Sequence, residues 1–152
     1  MATYLFPVEA TAAAARKYTP PLKGNQKCAL SQVITMATTD LDLNDTVDVG
    51  WLPKGAIVTD CVIYATDMDT GATLVLDVGP TTNPDAYIDG AALSTPAAAV
   101  RAGNVLGSQA TMATEAGTPL TADVKVIVTV ATAAGTAASG TLAVHIEYFV
   151  PA

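Results

Sequence analysis

The sequence is poor in the side chains that do chemistry. It holds one histidine, two cysteines, one tryptophan and two phenylalanines in 152 residues, and 14% of its residues are charged. His145 has no serine in a G-x-S-x-G nucleophile elbow to serve, because Ser31, Ser94, Ser108 and Ser139 lie in other contexts. We therefore expect no enzyme here, and read His145 as a surface histidine on a strand. Phosphate-cradling loops and G-x-G-x-x-G are missing as well, so no nucleotide cofactor is implied. So few aromatics give little to line a sugar cleft, and the carboxylate pairs Asp67/Asp69 and Asp85/Asp89 are explained as turn residues.

Other absences bound the class. No run of about eighteen apolar residues occurs, which excludes a membrane-spanning helix. The start, MATYLFPVEATAAAARKY, lacks a basic segment followed by an unbroken apolar one, so a soluble chain without a readable secretion signal is expected. Cys28 and Cys61 are not a C-x-x-C pair, and metal ligation by them alone is not expected. They read as two small hydrophobes inside strands, with a disulfide between them as the alternative.

What is abundant points to strands. Alanine (29) and threonine (22) supply a third of the chain, while nine prolines and eleven glycines interrupt any long helix. Together with Val and Ile in short alternating runs, this composition favours an all-β fold, and the length suits one core. The stretch from Gly55 to Gly79 reads as two strands, Ile57 to Thr66 and Thr73 to Val78, joined by the polar turn Asp67 to Gly71, and we expect a hairpin. In the first strand Ile57, Cys61, Ile63 and Ala65 share the drier parity. Cys28 to Ala37 and Thr46 to Leu52 are further strands, with a small element at Ala86 to Ile88 and one or two short strands between Ala97 and Met112. Val124 to Val130 and Leu142 to Tyr148 alternate most regularly and suggest a second long hairpin. About eight strands at this spacing indicate a two-sheet sandwich, jelly-roll-like.

The charges are unevenly placed. Residues 1–27 carry Arg16, Lys17, Lys23 and Lys27 against Glu9, whereas the remainder carries three basic residues against thirteen acidic ones. This divides the chain into an extended N-terminal arm, residues 1–27, and a β-sandwich body, residues 28–152. The acidic body repels phosphate backbones, so nucleic acid is not expected as a partner. Ala10 to Lys17 has helix propensity but is barely two turns long and ends at Pro20-Pro21. Tyr4, Leu5, Phe6 and Tyr18 give the arm apolar anchors with which to dock on a neighbour. The alternating carboxylates of Asp40 to Asp45 are not an EF-hand, since Asp45 and Trp51 stand where glycine and a bidentate acid are required. The excursion from Pro80 to Pro96 is either a binding loop or an edge covering.

The order Leu52-Pro-Lys-Gly-Ala-Ile-Val58, then Thr73-Leu-Val-Leu-Asp-Val-Gly79, then Pro84-Asp-Ala-Tyr-Ile-Asp-Gly90, closing on Gly140-Thr-Leu-Ala-Val-His-Ile-Glu-Tyr148, resembles small virion structural proteins of tailed bacteriophages, above all head decoration (cement) proteins. The likeness spans residues 50–150 and lies in the order of turns and strands. It implies a β-sandwich that assembles, often as a trimer, on the outer surface of an icosahedral capsid. There it would clamp neighbouring subunits of the major capsid protein after synthesis in the host cytoplasm. On that reading Tyr4, Phe6, Arg16, Lys17, Tyr18, Lys23 and Lys27 are the expected capsid contacts. The alternative is an accessory or fibre module that binds a host-surface glycan through the loop Pro80 to Pro96 or Leu41 to Asp45.

Overall fold

The computed structural model describes residues 27–93, 99–102 and 118–151. Eight strands run in order: β1 (Lys27–Met36), β2 (Thr46–Leu52), β3 (Ile57–Ala65), β4 (Val75–Pro80), β5 (Ile88–Ala92), β6 (Ala99–Arg101), β7 (Val124–Thr132) and β8 (Gly140–Phe149). A single turn of 3-10 helix, Thr38–Asp40, follows β1. The strands form two four-stranded antiparallel sheets, β1-β8-β3-β6 and β2-β7-β4-β5, here sheets A and B.

The pairings β1 with β8, β2 with β7, β3 with β6 and β4 with β5 are those of one long antiparallel hairpin, turned between β4 and β5 and then rolled into two layers. That is a jelly roll. The expected all-β sandwich is therefore found, with eight strands among the described residues. Two expected hairpins are not. β3 and β4 lie in different sheets, and so do β7 and β8. Each sequence-adjacent pair has an inward apolar face, but the polar link between its strands crosses the sandwich and does not fold back in plane.

Inward alternation builds the core. Leu30, Met36, Val58, Cys61, Ile63, Leu142, Val144 and Ile146 of sheet A meet Val49, Leu52, Leu76, Val78, Ile88, Val126, Val128 and Val130 of sheet B. Each of the larger aliphatic side chains contributes roughly 1.5–3 kcal/mol by leaving water. A register shift between Val58 and Asp60 changes the parity of β3. Val58 thereby joins the core with Cys61 and Ile63, and Ile57, expected on the same face as those two, takes the opposite face of β3, where it is still buried. The C-terminal strand is interior, with β1 on one side and β3 on the other.

Candidate interaction surfaces

At one end of the sandwich the links β1–β2, β3–β4 and β7–β8 meet. Asp69 ties the last two together. Its side chain is 1% exposed, and Oδ1 accepts the amides of Gly71 (2.8 Å) and Thr136 (2.9 Å). Oδ2 accepts the amides of Thr73 (2.6 Å) and Leu74 (2.8 Å) together with the Thr73 hydroxyl (3.1 Å). The Thr136 amide, with those of Thr73, Gly71 and Leu74, holds this carboxyl far below the usual carboxylate range despite its burial. Met68 beside it is fully buried, so the link read as a polar turn is a packed corner. Asp40 and Asp45 do similar local work, accepting the amides of Ala37 and Asp42 at 2.7 and 3.1 Å.

The opposite end carries the β2–β3 turn, the segment 118–123 and the start of β1. The amide of Gly55 donates to Leu120 O, and that of Leu120 to Ala56 O. Lys27, one of the expected contacts, is the first residue of β1 and forms a 3.0 Å ion pair with Glu147. The arm therefore joins the body at this end. Tyr4, Phe6, Arg16, Lys17, Tyr18 and Lys23 lie outside the described residues.

The outer face of sheet A is polar along one flank and apolar across its middle. Ser31 and His145 are register partners, and Ser31 Oγ lies 2.6 Å from His145 Nδ1. Nε2 of the same ring is 4.0 Å from Glu147, beyond hydrogen-bond reach, and that carboxylate is already engaged by Lys27. The group reads as a cross-strand clamp between β1 and β8, not as a nucleophile relay. Sequence reasoning missed it because only the pairing of strands 114 residues apart brings Ser31 to His145. Arg101 on β6 grips Asp60 on β3 through Nε, at 2.8 and 3.0 Å, and through Nη2. Further along, Val33 and Tyr64 are 63% and 52% exposed.

The outer face of sheet B is acidic. Asp77 accepts the Gly90 amide at 2.8 Å, and burial, with the nearby carboxylates Asp89 and Asp85, pushes its carboxyl up. Lys125 pairs with Asp48 at 2.6 Å. In the excursion after β4, residues 81–83 are exposed while Ala86 and Tyr87 are both 2% exposed, so its aromatic ring is not available as a platform for a sugar.

Cys28 and Cys61 are thiols, on β1 and β3, with β8 between them. Strands two apart are about 9.6 Å distant, too far for a disulfide. Cys61 is buried and Cys28 half-buried, and burial raises both thiols, Cys61 the more, with Asp60 adding to the effect.

No protein-family model matches the chain, and no curated protein sequence is a significant match. Solved structures do share its fold. A chain from the capsid of Ralstonia phage GP4 is 22% identical and aligns over 88% of this chain and 90% of its own length, with a TM-score of 0.68. A chain from the capsid asymmetric unit of cyanophage Pam1 is 25% identical, over 94% and 99%, with a TM-score of 0.57. One from the acidic stable capsid structure of Helicobacter pylori bacteriophage KHP30 is 14% identical, over 85% and 91%, with a TM-score of 0.53.

Proposed function

We propose that the chain is a structural component of a bacteriophage virion, and that within it the protein decorates and stabilises the capsid. One observation carries the reading: the whole jelly roll is shared with chains of phage capsids that are about as long as this one, since near-equal shares of both are matched.

The mechanism we infer is multivalent attachment. The body assembles with its own kind, as a trimer in the simplest case. The arm of each copy reaches from the β1 end onto neighbouring subunits of the major capsid protein at the outer surface of the shell. Arg16, Lys17 and Lys23 meet acidic groups there, Lys27 keeps its ion pair with Glu147 at the root of the arm, and Tyr4, Phe6 and Tyr18 supply apolar anchors. Modest contacts per arm sum to tight binding when several arms engage together. The test is co-sedimentation with capsid shells. A chain lacking residues 2–23 should stay folded and assembled but remain in the supernatant; pelleting at unchanged affinity would overturn the proposal.

A further inference from the structure

We propose that the outer face of sheet A is the surface through which copies of this chain associate. The inference rests on the reading of the protein as an assembling shell component, and it names the face involved. By register, Val33 on β1 stands opposite Ala143 on β8, Ala143 opposite Tyr64 on β3, and Tyr64 opposite Ala99 on β6. This apolar row crosses the whole sheet, and it includes two of the three large hydrophobic side chains exposed among the described residues.

Charge decides the occupant. On this face every formal charge is matched, Lys27 by Glu147 and Arg101 by Asp60. The rest of the described body sets two cations, Lys54 and Lys125, against ten carboxylates. Two such bodies repel through any other surface, and the neutral, apolar face is where like can meet like. A basic partner would be drawn instead to the acidic face of sheet B or to the acidic links at its end.

The border of the face agrees. Sheet edges are normally blunted, and three of the four here are: β6 has three residues, β5 has five, and β2 carries a register shift next to Asp48. β1 runs ten residues in unbroken register with β8, has neither proline nor glycine, and bears a single charge at its first position. Three strands of nine or ten residues and the three-residue β6, about 4.8 Å apart, present roughly 500 Å² before side-chain relief and the β1 edge are added, against the roughly 800 Å² per partner of a standard interface.

Light scattering behind a sizing column on the full chain tests this, with Val33→Glu, Tyr64→Glu and, on the exposed outer face of sheet B, Thr46→Glu. All three sites are at the surface, and circular dichroism with a thermal melt verifies the fold of each variant. The wild type and Thr46→Glu should have a mass several times the 15.4 kDa of one chain. Both sheet A variants should associate at least roughly tenfold more weakly. A monomeric wild type, or sheet A variants that assemble as the wild type does, would overturn the proposal. An assembled wild type that fails to bind capsid shells would count against the proposed function alone.

Discussion

The amide of Thr136 donates to Oδ1 of Asp69 at 2.9 Å, which fastens the link between β7 and β8 to the corner between β3 and β4. Four further donors converge on the same carboxylate. Replacing Asp69 by alanine leaves them without an acceptor in a site with little room for water. Asparagine turns an amide donor against amide donors. Both substitutions should lower Tm by roughly 10 °C or more, read by a thermal melt at pH 7.

The same carboxylate sets an acid limit. Its folded-state pKa lies below the unfolded value, so the stabilisation is complete above the unfolded pKa of about 3.9 and is lost as pH falls below it. Tm of the wild type should drop steeply below about pH 4, and the drop should be shallower in Asp69→Ala.

Asp77 works in the opposite direction. Burial and its acidic neighbours raise its folded pKa, so its charge costs stability at neutral pH and the cost is relieved as pH falls. Asparagine can keep the acceptor for the Gly90 amide while removing the charge. Asp77→Asn should raise Tm at pH 7 by roughly 2 °C, and the gain should shrink toward acid pH.

Strand positions were legible in the sequence because inward and outward residues alternate whatever the partner. Partners were not legible. Val58 to Ala65 and Leu74 to Val78 each show an apolar face that serves a hairpin or a sandwich corner equally well, and nothing local says that Asp69 is buried at the corner. The shift near Thr59 that exchanged Ile57 for Val58 leaves no mark in the alternation either. Of the surface groups, the charges of Lys27, Asp60, Arg101 and Glu147 could be read from the sequence. Their mutual pairing, like the Ser31–His145 clamp, exists only in the non-local register of sheet A.

Two glycines of the β4–β5 region should respond differently to alanine. At Gly79 a Cβ would collide with Asn83 O and sit 2.8 Å from Ala86 N, both backbone atoms of the loop after β4, whereas at Gly90 it meets nothing within 4 Å but must adopt φ +81°. Gly79→Ala should cost about 3 kcal/mol and loosen this loop, seen as faster amide exchange over 81–87. Gly90→Ala should cost about 1 kcal/mol and leave exchange there unchanged.

Thiol chemistry gives a quick check on the strand order. In the folded protein a disulfide-exchange reagent should react slowly with Cys28 and leave Cys61 untouched, and in denaturant it should modify both. Air oxidation should produce no intramolecular disulfide.

On the proposed reading a phage encodes this chain, and the most direct measurement is electron cryomicroscopy of its particle. The account predicts density for the eight-stranded sandwich at repeated lattice positions on the outer surface of the capsid, with arms running onto adjacent major capsid subunits and the outer face of sheet A turned toward another copy. A particle whose shell contains no such density would contradict it.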